Sequence, residues 1–175
     1  MLIHDMTREA SIDLLTRTRL GRLAYAHEGQ SYIAPMNFEY QDNYLYGFST
    51  LGQKIICMRA NPRVCVEAEE LASPQNWATI IVLGTYEELP DTPQYEDLRR
   101  RAWSLLQRRP LWWEPGYVKT VLHEETRPMD FMYFRIHIDQ ISGHRGIPNT
   151  VSRQESSATH ATHEGPVRRL RRIFG

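Results

Sequence analysis

Apolar positions along this chain fall first at helical and then at strand spacing, and the changes of period mark its elements. Residues 7–16 place Ala10, Ile12, Leu14 and Leu15 among charged neighbours, which predicts a short amphipathic helix capped at Asp5 or Thr7 and laid against a sheet. From Gly21 the pattern is that of strands. Leu23-Ala24-Tyr25-Ala26 ends at the turn-forming His27-Glu28-Gly29-Gln30 and leads into a second run, residues 31–40, so the two form an antiparallel hairpin. Gln41-Asp42-Asn43 makes another tight turn before Tyr44-Leu45-Tyr46-Gly47. Three strands at hairpin distances are a meander, not a βαβ unit.

Residues 52–60 then carry Ile55, Ile56 and Met58 at helical spacing and stop at Asn61-Pro62, because proline disfavours helix at the residue before it. Two strands follow, residues 64–68 and 77–86. The second is so apolar that it belongs at the centre of a sheet, with Gly84 marking a bulge or bend. Residues 95–107 space Leu98, Ala102, Leu105 and Leu106 as a helix and turn the run Arg99-Arg100-Arg101 mostly to solvent. Pro110 and Pro115 break regular structure around Trp112 and Trp113. In residues 131–140, Met132, Phe134, Ile136 and Ile138 alternate with more polar neighbours, which predicts the strand that closes the sheet. The sum is a mainly β fold with flanking α-helices, six strands joined mostly by hairpins into a small closed or partly closed antiparallel barrel. This domain occupies residues 1–147. Residues 148–175 are rich in Ser, Thr, His and Arg and poor in apolar groups, the composition of a disordered tail with a basic end.

With 175 residues, 41% of them apolar, the chain supports one buried core rather than two. Its 21 Lys and Arg balance 21 Asp and Glu, so no global field favours nucleic acid or an anionic membrane. Cys57 and Cys65 fit neither a disulfide framework nor a cysteine metal site, and no apolar stretch is long enough to span a bilayer. A cytoplasmic protein is expected. His160 and His163 share a helical spacing but have no clear third ligand, so no metal is expected.

Chemistry concentrates in Phe48-Ser49-Thr50-Leu51-Gly52-Gln53-Lys54, where a strand runs into a helix. A helix start offers unpaired backbone N–H groups and the positive end of the helix dipole, so it holds an anion before any side chain contributes. Ser49, Thr50, Gln53 and Lys54 add donors and one full charge. An ordinary N-cap is the commoner reason for such hydroxyls. It does not explain Lys54, because a cation in the first turns opposes the dipole and gains from a bound anion.

Three segments in order, RLGRLAYA from Arg19, APMNFEY from Ala34 and YGFSTLGQKIICMRANPRVCVE from Tyr46, resemble the FMN-binding split-barrel family related to pyridoxamine 5'-phosphate oxidase, in the branch that includes nitroimidazole-resistance proteins. The resemblance covers residues 5–145. It implies an antiparallel split β-barrel that forms a homodimer, with FMN in each of two grooves between the subunits. On that resemblance Ser49 and Thr50 are hydroxyl donors to the FMN phosphate, Gln53 is a polar contact and Lys54 is the paired cation. Pro35, Met36 and Asn37 would lie along the isoalloxazine, where backbone groups and an amide tune the ring. Phe48 aligns where many members of the branch have histidine, and it can pack against a ring but cannot transfer a proton. Trp112 would cover the flavin edge or pack at the dimer interface, and core packing fits it equally. The basic residues that bind substrate phosphate in the oxidase naming the family have no match here, so pyridoxamine phosphate is not the expected substrate.

The resulting expectation is an FMN-dependent oxidoreductase acting on a small organic acceptor, with no catalytic side chain assigned. Two alternatives stay open: a non-catalytic module that stores or senses flavin, and the same barrel binding haem or a deazaflavin.

Overall fold

Thr7 opens the first helix by a local hydrogen bond. Its hydroxyl accepts the Ala10 N–H at 3.2 Å, and α1 runs over Arg8–Arg17 with Leu14 and Leu15 buried against the sheet. A short strand, β1 (Leu2–Asp5), precedes it. The computed structural model describes residues 1–108, 120–122, 125–127 and 131–148. Trp112, Trp113 and residues 149–175 of the tail lie outside the described residues.

The hairpin of β2 (Leu20–His27) and β3 (Gln30–Asn37) turns at Glu28 and Gly29, whose φ angles of 49° and 78° are the left-handed pair that matches strand twist. The next turn uses Asp42 and Asn43 in the same way, at φ 51° and 66°, between β4 (Glu39–Gln41) and β5 (Tyr44–Thr50). Helix α2 (Gln53–Ala60) follows and ends at Asn61 before Pro62. The long hairpin β6 (Arg63–Ser73) and β7 (Asn76–Leu89) leads through a 3₁₀ turn at Pro93–Tyr95 into α3 (Glu96–Leu106). Two three-residue strands pair with each other, β8 (Thr120–Leu122) and β9 (Glu125–Arg127), before the last strand, β10 (Phe131–Ile147).

The main sheet is antiparallel in the order β3-β2-β6-β7-β10-β5-β4, with β1 pairing β10 beyond the end of β5. It has eight strands where the alternation predicts six. One extra strand is β1. The other arises because residues 31–40 divide at Phe38, which belongs to neither strand although its N–H still donates to the Arg19 carbonyl at 2.9 Å, one step beyond the Leu20–Asn37 pair. The last strand also differs from expectation: β10 lies between β7 on one side and β5 and β1 on the other, and the sheet ends at β3 and β4.

Inward-facing Leu23, Met36, Leu45, Val66, Val82 and Ile136 join Leu14, Ile55 and Met58 from the helices in the core. A bulge in β10 between Ile138 and Gln140 inverts its alternation, so Phe134, Ile136 and Ile138 face inward before it and Ile141 packs on the core after it. Gly84 stands opposite, where a Cβ would come within 2.4 Å of the His137 carbonyl oxygen. The bulge is therefore beside Gly84, on the partner strand. A second cluster lies on the outward face, where Ala102, Leu105 and Leu106 of α3 cover Tyr46 and Leu89. The arginine run does not simply face solvent. Arg99 is half-buried, donates to the Leu89 carbonyl at 3.1 Å and lies 5.5 Å from the Tyr133 ring centroid, while Arg100 pairs with Glu96 and Asp97.

Candidate functional site

Strand pairing leaves one seam open among the described residues. β4 covers only Tyr44, Leu45 and Tyr46 of β5, so Gly47–Thr50 pair with β10 on one side and with no strand on the other. β3 is the opposite end of the sheet and pairs only with β2. The two edges approach where a Cβ on Gly47 would lie 3.3 Å from the Asn37 carbonyl oxygen and 2.8 Å from the Phe134 ring, so glycine permits the closeness. The Arg19 guanidinium pairs with the Glu39 carboxylate, joining the start of β2 to β4 beside this point.

At the end of β5 the chain turns through Leu51 and Gly52 into α2. Gly52 is the N-cap, in extended conformation, and no side chain caps the helix. The first N–H groups of α2 therefore meet no side-chain acceptor, and no acidic residue occupies the first turn. Lys54 lies in that turn, half-buried, with no carboxylate paired to it among the described residues. Burial lowers the proton affinity of its amine below the usual lysine value. At the other end of the same helix Arg59 meets Glu88 through two bonds of 2.7 and 2.8 Å.

Each residue singled out in the sequence has a definite place. Ser49 and Thr50 are not the N-cap; they are the last residues of β5, opposite Met132 and Phe131. Strand alternation sends them to opposite faces. Gln53 is exposed at the first position of α2, next to Lys54. Phe48 lies on the outward face, 5.9 Å from the Phe131 ring and 6.2 Å from the Tyr133 ring, against the α3 cluster. Pro35, Met36 and Asn37 end β3 along the seam. Pro35 is exposed and has no N–H to give, Met36 buries its side chain in the core, and Asn37 is half-buried. The structure thus brings Asn37 to β5 and sets Ser49, Thr50, Gln53 and Lys54 along one short turn. Gly47 and Gly52 complete this arrangement, and an isolated glycine inside a strand pattern is the sequence signal for the first.

Lys54 lines neither of two cavities among the described residues. One of about 380 Å³ opens on the outward face among Ala24, Arg63, Cys65, Leu83 and Asp139, and one of about 670 Å³ runs from Leu51 to Phe131, Tyr133 and Arg99. No helix among the described residues is long and apolar enough to cross a membrane.

Residues 7–145 match the pyridoxamine 5'-phosphate oxidase family, and the chain belongs to it. Among individual relatives, an uncharacterised protein of Rhizobium meliloti (strain 1021) is 38% identical over 143 residues, 82% of this chain and 95% of its own length. A FAD-binding protein from Mesorhizobium loti has a similar fold, with a TM-score of 0.70, 40% identity and coverage of 83% of this chain and 99% of that one. A protein from Bacteroides thetaiotaomicron, provisionally named for 5-nitroimidazole antibiotic resistance, shares the fold at 16% identity, with a TM-score of 0.58 and coverage of 83% and 89%.

Proposed function

We propose that this chain is a flavin-binding oxidoreductase that holds FMN in the seam between β3 and β5, as a split barrel of the FMN-binding type. The observation that carries the reading is Lys54: a half-buried cation without a carboxylate among the described residues, at the uncapped start of a helix, beside an unpaired strand edge. These are the features a phosphate satisfies. It accepts the free N–H groups, is favoured by the helix dipole, and restores the charge partner that burial withholds. Ser49 or Thr50 supplies a hydroxyl, and Gln53 an amide. Asn37 and the backbone of Pro35 and Met36 line the other edge, where a planar ring fits between strands that do not pair. Phe48 and Trp112 remain proposed ring contacts. Bound flavin supplies hydride or electron transfer to a small organic acceptor; the chain binds and orients it.

A second copy of the chain supplies the missing wall. Ile33, Ala24, Cys65 and Leu83 stand in register across four strands on the outward face, and Ile33 and Leu83 are exposed. An apolar row of this kind, on the strand that also borders the seam, suits a homodimer. Leu83→Glu is expected to give monomers in sedimentation and to weaken flavin binding together.

A second reading is FAD, supported by the 40% identical FAD-binding protein from Mesorhizobium loti. Lys54 and the α2 N-terminus account for one phosphate, which favours the mononucleotide. Titration of purified full-length protein with FMN and with FAD, followed by flavin fluorescence, separates the two. Bleaching of the bound flavin by NADH or NADPH, with recovery on adding an acceptor, tests turnover. Protein that binds neither flavin overturns the reading.

A further inference from the structure

The turn between β4 and β5 carries a chain of polar side chains that the flavin reading does not use. Arg8 Nη2 donates to Asn43 Oδ1 at 2.7 Å. Asn43 Nδ2 donates to the Ile138 carbonyl at 3.0 Å and lies 3.2 Å from His137 Nε2, while the Ile138 N–H donates to the Asn43 carbonyl at 3.0 Å. On the far side of the ring His137 Nδ1 is 2.7 Å from Asp139 Oδ1, and Thr85 Oγ1 donates to Asp139 Oδ2 at 2.7 Å.

These contacts assign the protons. A guanidinium has only donors, so the amide oxygen of Asn43 must face Arg8, and the amide nitrogen then faces Ile138 and His137. That nitrogen has only protons to offer, so His137 Nε2 must be the acceptor. Nδ1 therefore carries the proton and donates to Asp139. The neutral ring is therefore the Nδ1–H tautomer. A proton added at Nε2 would set N–H against N–H. The amide cannot relieve this by turning over, because its NH₂ would then meet Arg8 and its oxygen would meet the Ile138 carbonyl.

We propose that Arg8, Asn43, His137 and Asp139 form a pH-sensitive latch, which ties α1 and the β4–β5 turn to β10 while His137 is neutral and releases Asn43 when Nε2 is protonated. The groups facing His137 from the surrounding elements leave it this freedom. From β10 come Asp139 and Arg135, the latter committed to Glu87 of β7 at 2.6 Å. From β5 comes the edge of the Tyr44 ring at 5.1 Å, and from the turn comes Asp42, which pairs with Arg101 of α3. β7 adds Thr85, α1 adds Arg8, and Arg63 of β6 acts on Asp139. Hydrogen bonds from His137 and then Thr85 hold Asp139 below the usual aspartate range. The protonated ring keeps Asp139 and loses only Asn43.

The test is nitrogen-15 NMR of His137 in the full chain between pH 5 and 8.5, with hydrogen exchange of the Ile138 amide followed in parallel. The Nδ1–H tautomer is expected at pH 8, with protection of Ile138 falling about tenfold, beyond the intrinsic pH effect, as His137 protonates. Asn43→Asp offers Nε2–H an acceptor and is expected to keep the Ile138 amide protected when the ring is protonated. His137→Phe removes the ring that can take up the proton, so protection is expected to lose its pH dependence beyond the intrinsic effect. An Nε2–H tautomer at pH 8, protection unchanged across the transition, or a pH dependence retained in His137→Phe overturns the proposal.

Discussion

Helix α2 carries a cation near each end, and the two are held in opposite ways. Arg59 lies in the last turn, where the dipole favours positive charge, and Glu88 meets it with two short bonds. Lys54 lies in the first turn, where the dipole opposes it, half-buried and without a carboxylate among the described residues. Arg59 is explained by the fold alone. Lys54 costs the fold something, and the seam beside it is where a ligand can return that cost. The difference teaches how to tell a structural cation from a functional one: by asking whether the chain provides its counter-charge.

The largest expected effect tests the functional end. Lys54→Met is expected to lower FMN affinity about 10- to 100-fold in a fluorescence titration, the loss of a charge-assisted bond, while leaving the thermal stability of the flavin-free protein unchanged or raised. Unchanged affinity would remove the contrast altogether. Next, Arg59→Met is expected to cost about 1 kcal/mol in urea unfolding, since the pair is partly exposed, and to leave flavin affinity alone. A variant that lost flavin binding at native stability would show the two ends to be one site.

The ends should also differ in pH dependence. Arg59 holds the Glu88 carboxyl below its ordinary value of 4.5, against the effect of burial. Its stabilisation is complete above that value and is lost as the pH falls through the lowered one. For Lys54 the unfolded chain holds the proton more tightly than the folded one, so stability should rise with pH from the lowered value toward 10.5. Thermal melts should show this alkaline slope in the flavin-free protein and lose it in Lys54→Met. The smallest effect is at the cap. Gly52→Asp, where a Cβ meets nothing within 4 Å, should stabilise the flavin-free protein by a few tenths of a kcal/mol and weaken FMN binding by placing a carboxylate where the phosphate goes.

Much of the sheet is legible in the chain because its hairpins turn at Glu28-Gly29 and Asp42-Asn43 and its core positions alternate. The legibility fails where geometry is set by distant partners. The alternation of β10 can be read to Asp139 and no further, since the bulge there inverts its phase. β1 has no buried position to give it a period, and the break at Phe38 is hidden because Phe38 is buried, as a continuing strand would also have it. In the candidate site the residue types are legible: a lysine against the dipole, and hydroxyls before a glycine. The open edge is not, because which residues of β5 lack a neighbour depends on how far β4 runs, and that is settled by pairing across the sheet.

The shortness of β4 works as a ruler. Three paired residues close half of β5 and leave four, a window of about 13 Å at the usual strand rise. Two residues added to β4 ahead of Glu39 would carry its pairing onto Gly47 and Phe48 and narrow the aperture without touching Lys54. The width of this gap is thus set by the length of β4 and not by the residues of the α2 turn.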